Sequence, residues 1–392
     1  MAARPLDVAP AGPVTLPDAG LSRGWEPTAV VLITLLLLAF GLVTLYSASS
    51  VLGWRQNLPD TYFVFRQAGG ALLGLVLLAV CALVPYERWA RWAWPLLWTS
   101  VALLVVIVLP GTEAIAPEVN GARRWLRLLG INFQPSEFAK LAVIVWTATI
   151  AVKKQAHFKS LVMGLGPFFL IWAVVLIPVA LEPNLSTVLV IAALGVLVVF
   201  TAGARVAHFA FLALLVLPFV RRQLEVGFRA DRIEAFLNPA TDASGAGFQL
   251  QQSLVALGSG GLTGVGFGEG RQKFGFLPEA HNDFIFAMVG EEWGLVGVVL
   301  LVATYLALIL VGFRIARRAP DLYGELLAVG VTSLIALQAS LHMAVGLGLL
   351  PTTGVALPLF SYGRSHLLAT LAAIGILVSV ARSAPGGKGA RA

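Results

Sequence analysis

Long apolar runs recur along nearly the whole chain of 392 residues, and they constrain its fold more than any other feature. A helix needs about 20 apolar residues to cross a hydrocarbon core of about 30 Å. Charged residues make up only 12% of the chain, whereas soluble domains carry about a quarter. The alternating ten-residue pattern of an outer-membrane barrel does not occur in the sequence. The sequence therefore predicts an all-α polytopic membrane protein.

The apolar runs divide the chain into ten predicted spans, near residues 27–49, 67–85, 89–110, 136–152, 160–181, 184–202, 205–222, 282–312, 324–346 and 360–382. The eighth span is longer than one crossing requires, so we expect it to tilt or to project at one end. Residues 223–281 are predicted to form a large extracytoplasmic loop between spans seven and eight. Residues 1–25 and 383–392 are predicted to be loose cytoplasmic tails around one transmembrane domain, residues 26–382.

Lys and Arg residues predict the orientation, because short cytoplasmic loops of membrane proteins are rich in them. With the N-terminus inside, the cytoplasmic loops hold Arg88, Arg91, Lys153, Lys154, Lys159, Arg205, Arg314, Arg317 and Arg318. Both termini are then cytoplasmic. The net charge of +7 suits anionic headgroups, and since the basic residues lie in short loops, we expect no nucleic acid partner. Arg123, Arg124 and Arg127 fall on the extracytoplasmic face, contrary to the rule that basic residues collect in cytoplasmic loops.

Ionisable residues lie where the long loop enters the eighth span, and they are the first candidates for chemistry. At membrane depth such groups cost about 2.5–3.5 kcal/mol on insertion scales, so they usually serve a function. Asp283 follows Glu279 and His281 in the run PEAHND. Half desolvated there, its carboxyl would have a raised pKa and would be a stronger base once ionised. A helix N-cap is the alternative role for Asp283.

A second group of charges surrounds the start of the fourth span. Arg123 and Arg124 precede it, and guanidinium groups match phosphate oxygens bidentately, so both are candidates for binding phosphate or pyrophosphate. Anchoring to lipid headgroups is the alternative. Glu137 and Lys140 lie three residues apart on one helical face, where they either line a cavity or only neutralise each other. Ser136 is predicted to be the N-cap of this helix.

Other polar or glycine-rich segments interrupt the apolar pattern. The break Glu182-Pro-Asn184 is tolerated at membrane depth only where protein or a water cavity covers it. The run from Leu349 to Gly363 contains two prolines and is predicted to be helix-broken and re-entrant. The glycine-rich stretch 258–270 lacks the Gly-Lys-Ser/Thr of a nucleotide-binding loop and is predicted to be a flexible interfacial loop.

Glu291 and Glu292 lie two turns inside the eighth span. Glu291 is eight residues beyond Asp283, which predicts that both share one helical face. A carboxylate at this depth needs a partner, so we expect the pair to serve a structural role by pairing with a basic group from another helix.

Assembled in this order, the motifs resemble those of the SEDS family, the membrane glycosyltransferases typified by FtsW and RodA. The resemblance runs from about residue 30 to residue 382. It is carried by YSAS at 46–49, GARRWL at 121–126, QPSEFAK at 134–140, the Glu182-Pro segment, FRxxR at 228–232, GFQLQQS at 247–253, PEAHNDFIFA at 278–287 and LLPTTG…LPLFSYG at 349–363. The PEAH and GARRW variants are more similar to FtsW than to RodA.

The resemblance implies ten transmembrane helices and polymerisation of lipid II into glycan strands at the outer face of the bacterial plasma membrane, during cell division or elongation. The essential aspartate of the family falls on Asp283, which the resemblance implies is the catalytic base. The cavity-lining glutamate and lysine of the family fall on Glu137 and Lys140. The full set of predicted substrate-binding residues is Arg123, Arg124, Glu137, Lys140, Asn184, Glu279, His281, Ser361 and Tyr362.

The resemblance also implies a class B penicillin-binding protein transpeptidase as a partner, together with other divisome or elongasome membrane proteins. The sequence requires no cofactor, although a divalent cation such as Mg²⁺ or Mn²⁺ could assist the departure of pyrophosphate. Two alternatives stay open. One is a flippase or transporter for a lipid-linked precursor, because intramembrane charges also mark translocation paths. The other is a weakly active scaffold for the transpeptidase.

The chain departs from the usual pattern of the family at six positions. Asparagine stands at 184 instead of aspartate, and Ser186 replaces glycine. Arg364 and His366 stand in the motif that usually reads Ser-Tyr-Gly-Gly-Ser-Ser, while His342 and Thr353 replace asparagine and lysine. These departures leave the predicted base intact, but they remove one charge from the outer cavity and crowd a glycine position.

Overall fold

The fold of this membrane protein is almost entirely helical. We describe it from a computed structural model over residues 24–384, except 119–120, 129–130, 159, 225–226 and 239–244. The helices are α1 (Glu26–Arg55), α2 (Tyr62–Leu83), α3 (Trp89–Val108), α4 (Pro135–Lys154), α5 (Gly166–Leu181), α6 (Leu185–Thr201), α7 (Val206–Leu224), α8 (Gly227–Leu237), α9 (Ala246–Ser259), α10 (Ile285–Arg317), α11 (Leu322–Gly346) and α12 (Arg364–Ser383). A hairpin that the sequence did not predict pairs β1 (Leu126–Leu128) antiparallel with β2 (Ile131–Phe133).

The ten predicted spans coincide with α1 to α7 and α10 to α12. Within the described residues, eight helices are long and apolar enough to cross a membrane, namely α1 to α5 and α10 to α12. The sixth span coincides with α6, which is apolar but has only 17 residues. The seventh span coincides with α7. The prediction of a multi-pass, all-α membrane protein is confirmed.

Three helices form the centre of the bundle. The apolar windows of α4 and α12 are each 83% buried and that of α11 is 72% buried, against 33% for α2, α3 and α5. The central helices carry many buried polar side chains, including Glu137, Lys140, Gln338 and His342. Polar groups are expensive when they face lipid, so these side chains require the interior position.

The described residues of 223–281 include helices rather than forming a simple loop. They contain α8, α9 and a short 3-10 helix, and α9 is fixed to α11 where the Ser253 hydroxyl donates to the Gly346 carbonyl at 2.8 Å. The glycine-rich stretch 258–270 was predicted to be flexible, and this prediction is wrong. Its backbone forms four hydrogen bonds with the backbone of α10.

Those bonds form where α10 is broken. Gly294 has φ 64° and ψ −161°, so the helical path is interrupted one third of the way along. The N–H groups of Val265 and Gly266 donate to the carbonyls of Glu291 and Glu292, and the N–H groups of residues 295 and 296 donate to the carbonyls of residues 261 and 262. These hydrogen bonds satisfy the backbone N–H and C=O groups that the break leaves without partners inside the helix. Such groups need partners within the protein, because no water is available at membrane depth. The long eighth span is therefore a broken helix and not one tilted rod.

The two glutamates beside this break are structural, as predicted. The Glu291 carboxylate accepts hydrogen bonds from the backbone N–H groups of Arg271 and Gln272, at 2.7 and 3.2 Å. Glu292 pairs with the Lys273 ammonium at 3.1 Å and accepts from the Ser47 hydroxyl at 2.5 Å. The basic partner thus comes from the 3-10 helix of the 223–281 segment. The predicted common face of Glu291 and Asp283 is wrong, because Asp283 lies outside the helix.

The helix break predicted between Leu349 and Gly363 is confirmed. Residues 347–363, all of them described, form no helix, yet Leu357, Leu359, Phe360 and Ser361 are buried. The Tyr305 hydroxyl donates to the Pro358 carbonyl, and the His342 ring nitrogen Nδ1 lies 2.8 Å from the Val355 carbonyl oxygen. Irregular backbone at this depth is stable because protein groups cover and pair it.

Replacing Gly264 with alanine should destabilise the contact between the glycine-rich stretch and α10. Gly264 has φ +83°, and a Cβ atom there would lie 2.1 Å from the Glu292 carbonyl oxygen. The left-handed conformation alone costs about 1–2 kcal/mol for an L-residue. We expect Gly264→Ala to lower the midpoint of thermal unfolding in detergent by several degrees. Gly258→Ala is the matched control, since a Cβ there meets no atom within 4 Å; equal midpoints for both variants would contradict the assignment.

Candidate active site

Asp283 lies in a turn immediately before α10. The N–H groups of Asn282 and Asp283 both donate to the Glu279 carbonyl at 3.0 Å, and Glu279 has φ +53°, which closes the turn. The N-cap of α10 is Phe284, and no side chain caps the helix. The alternative role of Asp283 as an N-cap is therefore wrong. The Asp283 carboxylate is held in a tight turn at the N-terminal end of α10.

The turn is fixed from the opposite side by the segment that precedes α12. The Ser361 hydroxyl donates to the Asn282 carbonyl at 2.7 Å, and the Tyr362 N–H donates to the His281 carbonyl at 3.1 Å. The Gln67 side chain in turn donates to the Ser361 carbonyl at 3.0 Å. Ser361 and Tyr362, predicted as substrate-binding residues, thus bond directly to the backbone that carries Asp283.

The surroundings of Asp283 raise its basicity. Burial and the nearby Glu279 carboxylate raise the pKa of Asp283 to about 6, against the lowering effect of the Arg232 and Arg124 guanidinium groups. Burial destabilises the charged form of a carboxyl group, and the two cations compensate only in part. Asp283 is consequently half ionised near pH 6 and a competent proton acceptor at neutral pH.

Residues 352–354 form one wall beside Asp283. Gly354 has φ +70°, and a Cβ atom built on it would lie 3.7 Å from the Asp283 carboxylate oxygen Oδ2. The Arg232 side chain of α8 donates to the Thr352 carbonyl at 3.3 Å. Sequence reasoning did not select Arg232 as a site residue, although Arg229 and Arg232 are spaced to lie on one face of a helix.

Arg124 connects this turn with the α5–α6 turn. Its guanidinium donates to the backbone carbonyls of Glu182 and Pro183, at 3.0 and 2.7 Å. The same group is close enough to Asp283 to lower the pKa of that carboxyl. Arg124 is therefore a cation fixed by backbone acceptors at the edge of the site.

Arg123 forms its side-chain hydrogen bonds within its own loop. It donates to the carbonyls of Leu109 and Ala116 and to the Thr112 hydroxyl, and it forms an ion pair with Glu113 at 3.3 Å. These bonds occupy the Nε atom and both terminal nitrogens. These bonds give Arg123 a loop-stabilising role.

Glu137 and Lys140 form a buried cluster with His366. Lys140 Nζ lies 2.7 Å from Glu137 Oε1, and His366 Nδ1 lies 2.7 Å from Glu137 Oε2. The predicted ion pair is confirmed, while the histidine that completes it had been noted only as a departure from the family. The predicted N-cap, Ser136, is wrong: α4 begins at Pro135, with Gln134 at the N-cap, because proline suits the first helical position.

Asn184 and His281 have local roles that their side-chain contacts define. The Asn184 side chain caps α6 by accepting from the Thr187 N–H at 3.4 Å. His281 lies 3.9 Å from Glu279, and its ring contacts the rings of Phe63 and Tyr362. Burial lowers the pKa of His281, so its ring is mainly neutral at neutral pH.

The structure thus gathers Asp283, Glu279, His281, Ser361 and Tyr362 at one turn, with Arg124 beside it. Glu137 and Lys140 form a separate cluster, joined to that turn through the short segment from Ser361 to His366. Within the described residues, no group of three or more His, Cys, Asp or Glu side chains could hold a metal ion.

Comparison with known proteins identifies the family of this chain. Residues 28–385 match the FtsW/RodA/SpoVE family of cell cycle proteins. The chain is 41% identical over 352 residues to the probable peptidoglycan glycosyltransferase FtsW of Trichlorobacter lovleyi, covering 90% of this chain and 92% of that protein. It is also 41% identical over 356 residues to the stage V sporulation protein E of Bacillus subtilis, covering 90% and 96%.

Solved structures share the fold. A chain from a peptidoglycan synthase complex, described as coordinating polymerization and crosslinking, superposes with a TM-score of 0.76 at 29% identity, covering 92% of this chain and 98% of that one. The rod shape determining protein RodA of Thermus thermophilus superposes with a TM-score of 0.65 at 29% identity, covering 93% and 98%. Sequence, fold and the order of the motifs agree, and the chain belongs to the FtsW/RodA/SpoVE family of cell cycle proteins.

Proposed function

We propose that this chain is a peptidoglycan glycosyltransferase that polymerises lipid II into glycan strands at the outer face of the plasma membrane, in cell division or elongation. The observation that carries the proposal is the half-buried carboxyl of Asp283, held in a rigid turn and flanked by fixed guanidinium groups. The relatives named as probable peptidoglycan glycosyltransferases supply the reaction class.

Asp283 acts as the general base. The hydroxyl oxygen of the acceptor sugar attacks the anomeric carbon of the donor, and its proton passes to the Asp283 carboxylate. The bond between the anomeric carbon and the pyrophosphate oxygen breaks, and the polyprenyl pyrophosphate leaves with the electron pair. The protonated carboxyl then returns its proton to water. A positioned base of this kind contributes roughly 10²–10⁴-fold to the rate.

Arg124 is the best-placed group to stabilise the leaving pyrophosphate. Its guanidinium is oriented by two backbone carbonyls and does not have to be reorganised when charge develops on the phosphate. The Lys140 ammonium is already neutralised by Glu137. We propose that Lys140 and Glu137 line the cavity wall, and that Glu279 and His281 contact the sugar through the turn that they share with Asp283.

The positive-inside pattern favours cytoplasmic termini, and it supports our proposal that the Asp283 turn lies on the outer face of the bacterial plasma membrane. The similar chain described in a peptidoglycan synthase complex supports a partner that crosslinks the new strands. We therefore propose a class B penicillin-binding protein, with other divisome or elongasome membrane proteins, as partners. Lipid-exposed helices such as α2 and α3 supply lateral surface for such contacts.

Asp283→Asn should abolish polymerisation, because an amide of the same shape cannot accept the proton. We expect at least about a 100-fold loss of glycan product from lipid II, measured on gels with the purified protein and its transpeptidase partner. Asp60→Asn is the matched control, since Asp60 is an exposed aspartate that accepts a bond from the Tyr46 hydroxyl. Full activity of Asp283→Asn would show that Asp283 is not the general base. Movement of labelled lipid II across vesicles without polymer would indicate transport instead.

The rate should rise with pH through the pKa of Asp283, about 6. Below this pKa the carboxyl is protonated and cannot act as a base, so the rate falls about tenfold for each unit of pH below it. Initial rates measured across this range, at saturating lipid II, test the expectation. A rate that stays constant from well below to well above pH 6 would show that another group accepts the proton.

His366→Leu should lower activity by about tenfold, because it removes one of the two donors to the buried Glu137 carboxylate. His366→Asn is the informative comparison, since the amide nitrogen of asparagine occupies nearly the position of Nδ1 and can restore the bond. We expect the asparagine variant to recover most of the activity. Equal losses in both variants would mean that the ring volume of His366 matters and the bond to Glu137 does not.

A further inference from the structure

Glu182 is a buried carboxyl group for which the mechanism above has no use. It follows α5 directly, at the turn that leads into α6, and only 2% of its surface is exposed. Neither of its carboxyl oxygens has a hydrogen-bond partner among the described residues. Leaving a buried polar group unpaired costs about 1–3 kcal/mol. A residue retained at this cost is a candidate for binding a ligand.

Glu182 lies next to the site residues already described. Arg124 donates to the backbone carbonyls of Glu182 and Pro183, and its guanidinium is the cation that acts on the Glu182 carboxyl. The same guanidinium acts on Asp283. Arg124 therefore lies within electrostatic reach of two carboxyl groups, one proposed as the base and the other without an assigned role.

A cavity of about 210 Å³ adjoins Glu182. It is bounded by the end of α3 at Ile107 and Val108, by the loop that includes Ala122 and Arg123, and by the α5–α6 turn. One water molecule needs only about 10–15 Å³ of such volume, so the cavity accommodates part of a larger polar ligand. The charged groups on its wall besides Glu182 are Glu118 and Arg123, and Arg123 is bonded within its own loop.

The chemistry of a neutral carboxyl suits an anionic, oxygen-rich ligand. Burial raises the pKa of Glu182 to about 8, opposed by the attraction of Arg124. At neutral pH the group is thus mainly a carboxylic acid, which donates through its O–H and does not repel phosphate. A carboxylate at the same place would be an acceptor only, and it would compete with pyrophosphate for the Arg124 guanidinium.

We propose that Glu182 is a further substrate-binding residue, whose buried carboxyl group forms a hydrogen bond with an oxygen of the pyrophosphoryl saccharide beside Arg124. The inference rests on the proposed function and extends it to a second ionisable group. The pH dependence of activity then has two independent limbs. The acidic limb belongs to Asp283 and the alkaline limb to Glu182.

The test compares wild type with Glu182→Gln and Glu182→Ala, using purified protein, the transpeptidase partner and lipid II. Wild-type activity should fall as the pH rises through about 8, when Glu182 loses its proton. The glutamine amide donates at every pH, so Glu182→Gln should keep the neutral-pH rate within about twofold and should lack the alkaline limb. Glu182→Ala should raise the KM for lipid II about tenfold at neutral pH and leave kcat nearly unchanged.

Three outcomes would overturn the inference. An alkaline limb that persists in Glu182→Gln would belong to another group, and an unchanged KM in Glu182→Ala would mean that only water contacts the carboxyl. A Glu182→Gln variant that loses activity at all pH values would require the carboxylate itself. If Glu182→Ala does not fold, the pH profile of Glu182→Gln still tests the role proposed for Glu182.

The proposed function is judged separately by Asp283→Asn. Inactivity of that variant, together with an alkaline limb shared by wild type and Glu182→Gln, would retain the glycosyltransferase assignment and reject the role of Glu182. Retained activity of Asp283→Asn would instead remove the assignment on which the inference rests.

Discussion

The structure depends on one constraint, that backbone groups at membrane depth must find partners inside the protein. Three irregular segments meet it by pairing with each other or with neighbouring helices. The break of α10 at Gly294 is paired by the glycine-rich stretch, and the segment before α12 is paired by Tyr305, His342 and Gln67. That segment in turn fixes the Asp283 turn. The same bonds that make non-helical backbone tolerable also hold the candidate base in place.

Rigid backbone also determines the electrostatics of the site. Asp283 and Glu182 are carboxyl groups in two different turns, and burial raises the pKa of each. Arg124 acts on both, yet its own orientation is fixed by backbone carbonyls rather than by either carboxylate. A cation held in this way leaves both carboxyl groups able to exchange protons, since neither is committed to a close ion pair with it. Two acids whose surroundings give them different pKa values can take different roles at one pH.

Much of this was predictable from the sequence, because apolar runs of membrane length determine helices almost unaided. The Glu137–Lys140 pair followed from helical spacing, and Asp283 followed from a charge at a span boundary. The roles of Arg123 and Arg124 could not be separated, since adjacent residues in a loop point in directions that only the fold decides. The glycine-rich stretch was misjudged for a similar reason: glycines permit flexibility, but they also permit the close backbone approach seen between Gly264 and Glu292. Glu182 gave no signal beyond its place in a polar break.

Three of the six departures from the family pattern are absorbed by local contacts, which argues for an active enzyme rather than a scaffold. His366 provides a second donor to Glu137. The aliphatic part of Arg364 packs over Gly70, where a Cβ atom would lie 3.0 Å from its Cγ, so the residue that replaces a glycine is accommodated by a glycine on α2. Asn184 retains the helix cap that an aspartate would form but removes a negative charge from the turn that Arg124 contacts. With that charge absent, Glu182 is the one carboxyl within residues 182–187, and its burial beside Arg124 keeps the turn neutral while a pyrophosphate binds.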